Sequence, residues 1–289
     1  MGNHILFFVS ETPIHAGVGQ EIGTVDLPIQ REVHSRLPVI HASGVKGSIR
    51  DAFQQKVKDK KIENLIFGPE ETGETAHAGS VTFTDARLLL FPVRVLGRMF
   101  AWVTCPYVLK RFFRDAKLAN LFDNVNIEFE IKDNDSAFVP ETYEGDVVIG
   151  DILYKTDRNA NTKIKEIAST INNLCLYDDS YMKQKLQKDF IIVSDDEFTH
   201  LTETKTEIVT RIALKEDEKI VKEGALWTEE SLPEESILYS IISIERVRGK
   251  DASGETEESL LNKLKEIPSR IQIGGNETTG KGFVRLVWK

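Results

Sequence analysis

ETPIHAGVGQEIGTVDLPIQREVHSRLPVIHASGVKGSIR, residues 11–50, decides how the rest of the chain is read. The stretch is too polar, and too rich in Gly and Pro, to form one continuous helix or strand. Four of the six histidines (His4, His15, His34 and His41) lie in the first 41 residues, and Asp26 sits mid-loop between apolar neighbours. Loops this long without regular structure are uncommon in compact domains and are usually functional or disordered. This one has anchored ends. The apolar run His4–Ser10 precedes it as a strand, and a helix follows with Ser43 as the expected N-cap. It reads as a working loop.

The helix expected over Gly44–Val57 carries Val45, Ile49, Ala52 and Phe53 on one face at helical spacing. Lys46 and Arg50 are four apart and share another face, a two-cation stripe beside the Gly44-Val-Lys-Gly47 turn. A solvated helix face is the plainer reading of that stripe; proximity to the glycines favours contact with an anion.

Composition sets the outer bounds. A chain of 289 residues with 40% hydrophobic content buries a sizeable core. MGNHILFFVS lacks a basic leader and has only a short apolar run, so it predicts no signal peptide. Leu6 stands where a myristoylation pattern requires Ser or Thr. No apolar stretch approaches membrane-spanning length. Cys105 and Cys175 form no CxxC pair and read as reduced thiols of a cytoplasmic protein. The net charge of −9 argues against nucleic-acid binding taken whole. Its distribution argues otherwise: residues 85–114 hold six basic side chains and one acid, whereas 214–236 hold eight acids and three bases. Such segregation lets a basic groove coexist with an acidic back.

In chain order, Ile62–Phe67 is a helical turn closed by Gly68-Pro69, and Glu70–Gly79 is an acidic loop. Strands are expected over Ser80–Phe91 and Met99–Thr104, then a helix opened by Pro106. Asn126–Lys132 alternates as a half-buried strand. Val147–Tyr154 is extended and Lys163–Leu174 helical, while Ser194-Asp-Asp-Glu197 has the form of a capping box. Glu207–Leu214 and Lys219–Trp227 flank KEDE as a long hairpin. Ser236–Arg246 is a strand, Thr256–Ile267 a helix, and the end is strand, glycine loop, strand. Interleaved strands and helices with hairpins predict an α+β fold on a mostly antiparallel sheet.

Near the end, Gly275–Lys281 fits GxxxxGK, the first part of a P-loop. Gly282 then replaces the magnesium-binding Ser or Thr, and FVRLVWK is a strand rather than a helix, so a nucleoside-triphosphate site is not expected. Two readings of the loop stay open. Its backbone N–H groups approach phosphates, with Lys281 and Arg285 as counter-charges, or its glycines simply supply positive φ in a tight turn.

Three groups of residues carry a resemblance: TPIHAGVGQ…VDLPIQRE…PVIHASGVKGSIRD at the front, EGALWTEESLP late, and IQIGGNETTGKGFVRL at the end. Together they resemble the RAMP superfamily, and more closely its Cmr branch, the backbone subunit of type III-B CRISPR effector complexes. The resemblance implies one domain over residues 1–289, with a ferredoxin-like (RRM-like) core, palm and thumb insertions, and residues 207–227 as the candidate thumb hairpin. It implies a helical filament of copies along a guide RNA, associated with other Cmr subunits and placed in the cytoplasm without a membrane. The guide pairs with a single-stranded target RNA, which the protein cuts at regular intervals. Shape and backbone are then read by the protein, and sequence by base pairing.

The family aspartate required for cutting corresponds to Asp26. Attack by a 2′-hydroxyl needs a base or metal near that hydroxyl and charge stabilisation at the phosphate. Magnesium or another divalent metal, held by Asp26 and phosphate oxygens, would supply both. His15 is a candidate proton donor or phosphate ligand, and Glu229 or Glu230 a candidate second carboxylate, with spacing unable to choose. Lys46, Arg50, Gly44, Gly47, Arg31, Gly275, Lys281 and Arg285 are the candidate RNA contacts. Asp26 could equally be a turn-former and His15 a structural hydrogen-bonding residue; the family motif is what raises Asp26 above that. A non-catalytic scaffold that coats guide RNA is the alternative function, and a metal-independent guide-processing ribonuclease using His15 is a third.

Overall fold

Both faces of the apolar run near the N-terminus are covered. Strand β1 (Gly2–Ser10) lies inside a large sheet, with residues 5–10 all buried. The computed structural model describes residues 2–20, 23–70, 77–122, 131, 133–176, 179–214, 221–249, 252 and 254–289. After β1 come β2 (Val39–Ile40), α1 (Ala42–Lys56), α2 (Lys60–Phe67), β3 (Val81–Phe83), β4 (Ala86–Val93), β5 (Ala101–Thr104) and α3 (Pro106–Leu118). The middle holds β6 (Ser136–Phe138), β7 (Val147–Ile149), β8 (Ile152–Asp157), α4 (Asn161–Cys175), α5 (Ser180–Lys188), β9 (Phe190–Ile192) and α6 (Asp195–Thr204). The remainder is β10 (Glu207–Leu214), β11 (Val221–Ser231), β12 (Ile237–Ile244), α7 (Glu257–Leu264), β13 (Arg270–Gln272) and β14 (Phe283–Trp288).

The main sheet runs β13-β14-β1-β12-β4-β5-β9-β6-β8-β7, with β2 beside β4 and β3 beside β12. Only the β5–β9 and β6–β8 pairings are parallel, so the mostly antiparallel α+β expectation holds. β10 and β11 stand apart as a two-stranded hairpin. It covers the expected hairpin region but continues to Ser231, so Thr228, Glu229 and Glu230 lie on the strand rather than beyond it. Lys219 and the KEDE segment lie outside the described residues, as does the strand expected over Asn126–Lys132 apart from Ile131.

Several local expectations change. Helix α1 begins at Ala42, before Ser43, and its first amide is taken by a distant residue: the Asp85 carboxylate accepts from Ala42 N at 2.7 Å. Pairing of β2 with β4 brings Asp85 there. Gly44 and Gly47 are therefore helical, not a turn. The single strand expected over Ser80–Phe91 is two, β3 and β4, and Val147–Tyr154 contains the tight turn between β7 and β8. Ser194 caps α6 by accepting from Glu197 N, but the Glu197 carboxylate leaves the helix to accept from the Tyr154 hydroxyl. A reciprocal capping box instead opens α7, between Thr256 and Ser259.

Helix α3 packs on the sheet through aromatic rings. The Phe112 centroid lies 5.8 Å from Phe7 on β1, 5.0 Å from Tyr239 on β12 and 5.2 Å from Phe113. Offset and edge contacts of this kind add to the burial of apolar area. Phe112→Ala removes a fully buried ring between three others, and the expected loss is about 3–5 kcal/mol of unfolding free energy. Urea denaturation at constant m-value measures it; a loss below 1 kcal/mol would show that α3 is not held this way.

Candidate functional site

Residues 11–38 contain no regular strand, yet the stretch is pinned along its length by backbone hydrogen bonds. Ile14 and Leu232 exchange bonds as an antiparallel bridge, at 2.9 and 2.8 Å. Leu27 N donates to Thr228 O, and Glu230 N donates to Leu27 O, both at 3.0 Å, a parallel bridge to β11. Residues 26–29 thus lie against the base of the β10–β11 hairpin as a short added strand. The loop borrows the hairpin's edge for its backbone bonds, which explains how so polar a stretch stays ordered.

This register places Asp26 opposite Thr228. Asp26 Oδ2 accepts from Thr228 N at 2.7 Å and from Thr228 Oγ1 at 2.8 Å, while Asp26 N donates to Thr228 Oγ1 at 3.0 Å. The Thr228 backbone N–H, then its hydroxyl, stabilise the charged carboxylate and hold its pKa below the ordinary range. Both bonds fall on Oδ2, leaving Oδ1 without a donor from any other described residue. Asp26 is therefore an ionised, oriented carboxylate with both of its Thr228 bonds on one oxygen.

Adjacent residues of a strand point to opposite faces, and Glu229 and Glu230 separate accordingly. Glu230 shares the face of Thr228. Its Oε1 accepts from Arg31 at 2.6 Å and from Thr206 Oγ1 at 2.8 Å, and its Oε2 accepts from Ile29 N at 3.0 Å. Glu229 faces the other way, 3.1 Å from Lys281 Nζ and 3.6 Å from Arg211. Burial raises the Glu229 pKa, but the hydrogen bond and charge of Lys281, with the Arg211 guanidinium beyond and other nearby charge, together leave the carboxyl below its usual value. Both glutamates are buried and anchored.

His15 is buried at the other side of the same strand. Its Nδ1 donates to the Glu230 carbonyl at 2.6 Å. The terminal glycine loop packs against it: Gly275 N donates to His15 O and Gly282 N to Pro13 O. Gly274 has φ of +85°, and a Cβ there would meet His15 O at 2.6 Å, so this approach needs glycine. Lys281 is only 6% exposed and donates to Ser231 Oγ at 2.6 Å. Two amides of the loop and its lysine are thus directed at the 13–15 segment and β11.

The other residues marked by sequence fall in separate places. Arg31 is buried against Glu230. Arg50 donates through Nε to Glu63 at 2.8 Å and lies 3.4 Å from Glu70. Lys46 is half-buried on α1 with no ion pair among the described residues, and burial, then Arg50, push its pKa down. Gly47 faces open space, whereas a Cβ on Gly44 would touch Ile40 at an ordinary distance. Arg285 lies on β14 beside Arg270 and Val9. The structure thus brings Asp26, His15, Arg31, Glu229, Glu230, Gly275 and Lys281 together around β11 and leaves Lys46, Arg50, Gly44 and Gly47 on α1. Thr228 was not singled out by sequence; no motif marks it, and its role follows only from the loop–strand register. Among the described residues no three His, Cys, Asp or Glu side chains form a metal cluster, and no helix is long and apolar enough to cross a membrane.

The RAMP superfamily model matches residues 7–285. The chain is 37% identical over 287 residues to the CRISPR system Cmr endoribonuclease Cmr4 of Pyrococcus furiosus, covering 96% of this chain and 92% of that protein. The crystal structure of oligomeric Cmr4 from Pyrococcus furiosus superimposes with a TM-score of 0.76 at 29% identity, covering 100% of this chain and 98% of that one. A chain in the cryo-EM structure of the type III-B Cmr-beta complex bound to cognate target RNA shares the fold, with a TM-score of 0.73 at 21% identity and coverage of 100% and 97%. With the match running from β1 to β14, this chain belongs to the RAMP superfamily, in its Cmr4 branch.

Proposed function

We propose that this chain is the RNA-guided endoribonuclease subunit of a type III-B Cmr complex, coating guide RNA as a filament of copies and cutting the target RNA paired to it. The observation that carries this reading is Asp26, ionised, fixed by Thr228 through Oδ2 at the base of the β10–β11 hairpin, with Oδ1 left free of a described donor. Its likeness to a relative named as an endoribonuclease supports the same conclusion. We read the core as ferredoxin-like: β1-α1-β4-β12-α7-β14 follows βαββαβ order, and the adjacent antiparallel strands β14-β1-β12-β4 follow the matching 4-1-3-2 arrangement. In this reading β10–β11 is the thumb, and the base of that thumb holds the cutting group.

The residues fit a metal of one kind. A single carboxylate oxygen without a described donor suits magnesium completed by phosphate oxygens and water, not an all-protein cage. Such a metal would lower the pKa of the attacking 2′-hydroxyl and neutralise charge at the phosphate. Asp26 would hold it or accept the hydroxyl proton. Thr228 positions Asp26 by fixing Oδ2, and Glu230 positions the loop by holding Ile29 N and Arg31. Neither glutamate is needed as a second metal ligand in this account. His15 orders the loop through the Glu230 carbonyl, which argues against a histidine-only mechanism.

In a reconstituted complex, Asp26→Ala is expected to retain target binding and lose cutting by at least about 100-fold. A chelator should abolish wild-type cutting. Unchanged cutting by the variant would leave this chain a scaffold, and activity surviving the chelator would remove the metal from the mechanism. Thr228→Val takes away the hydroxyl while keeping the backbone N–H, and is expected to slow cutting about tenfold, because one of the two bonds that fix Asp26 Oδ2 is lost. A carbon-detected titration of the Asp26 carboxyl checks the cause. Stabilisation of the ionised form in wild type is lost as pH falls through a midpoint below about 3.9, and the variant's midpoint moves upward. An unmoved midpoint would contradict the assigned role of Thr228.

A further inference from the structure

The basic run of residues 85–114 has no part in the site just described, yet three of its arginines meet in one cleft. A cavity of about 360 Å³ lies between the 31–41 loop and α3, with Arg87 of β4 and Arg111 and Arg114 of α3 in its walls. We propose that this cleft is a second anion site, which takes a backbone phosphate of an RNA strand running past Arg31 towards Asp26. The inference rests on the RNA-guided reading above and adds a specific place for the backbone.

Arg111 points to the ligand. It is only 6% exposed, and NH1 donates to Glu32 Oε1 at 2.6 Å. Its Nε and NH2 have no hydrogen-bond partner among the described residues. Buried donors left unmatched cost about 1–3 kcal/mol each, so an arginine kept in this state calls for an acceptor. Phosphate oxygens, like carboxylates, match the guanidinium fork in a bidentate way. The Tyr107 ring, 5.3 Å from the guanidinium carbon, closes one side.

The acids of this region lie beneath the cations. Asp115, with its side chain 3% exposed, accepts from Arg87, from Arg114 and from the Tyr239 hydroxyl. Glu32 is engaged by Arg111, and Asp85 by the first amide of α1. Beside exposed Val33, the exposed ionisable groups of the lining are basic: the Arg114 side chain is 66% exposed, and exposed His34 and His41 line the same cleft. An anion therefore meets guanidinium groups before it meets carboxylates.

Arg31 joins this cleft to the Asp26 region. It lines both the arginine cleft and a neighbouring cavity of about 300 Å³ walled by Val25, Pro28, Ile208 and Glu230, residues that flank Asp26 in sequence or share its strand partner β11. One strand can occupy both, with its cut linkage at Asp26 and a nearby phosphate on Arg111 and Arg114. Guide and target backbones have the same chemistry, so the strand is for experiment to assign.

The test uses the full chain in a reconstituted complex, with labelled guide and labelled complementary target titrated separately at several salt concentrations. Arg114→Glu changes an exposed side chain. The double variant Arg111→Gln with Glu32→Gln removes the buried pair without stranding either charge, and thermal melting of both variants checks folding. We expect affinity for one of the two strands to fall about tenfold or more, with a salt slope shallower by about one per lost phosphate contact. The strand affected is the one the cleft holds. Unchanged affinity and slope for both strands in a folded Arg114→Glu variant would overturn the proposal, whatever the fate of the double variant. Asp26→Ala, tested alongside, separates the two claims: it reports on cutting and leaves the cleft intact.

Discussion

The account depends on the pairing of residues 26–29 with the hairpin strand β11. This polar, glycine-rich stretch buries side chains such as Ile14, Ile29 and Leu37, and its backbone groups need partners as well. Here its backbone is satisfied by Thr228 and Glu230, and the two carboxylates that matter are set by the same register. Asp26 meets the Thr228 amide and hydroxyl, and Glu230 meets the Ile29 amide. A slip of one residue would reverse every side chain on the added strand and turn Asp26 away. The placement of Asp26 and the order of the loop are therefore one structural event.

That arrangement also explains why so many charged groups near the site are not exposed. Arg31, Glu229, Glu230 and Lys281 are all buried and paired. Removing one member of such a pair leaves a lone charge in a poor solvent, which costs far more than the pair itself contributes. Their arrangement sets the position of β11 against the 13–15 segment and the terminal glycine loop. Rigid support beneath a single carboxylate is what a reaction governed by positioning needs.

Much of this was legible in the sequence, for physical reasons. The β-rich run Ser236–Arg246, the face of α1 and the hairpin around KEDE express local composition and periodicity, which survive without knowledge of partners. Asp26 and the terminal glycines stood out because their loop could not be regular structure. What stayed hidden depends on long-range contacts. The amide donor of Ala42 is matched by Asp85, not by adjacent Ser43, and Lys281 meets Glu229 rather than solvent. Thr228 is an ordinary strand residue until the register is known. The arginines at 87, 111 and 114 were visible as a basic run, but only the packing of α3 on the sheet gathers them around one cleft.

The most direct measurement assembles complexes from mixtures of wild-type and Asp26→Ala chains and maps the cuts on an end-labelled target. If each copy cuts through its own Asp26, total cutting falls in proportion to the variant fraction, at every position, while target binding stays constant. Complexes built wholly from the variant should then bind and not cut. Cutting that persists at full substitution, at the same positions, would place the chemistry outside this loop.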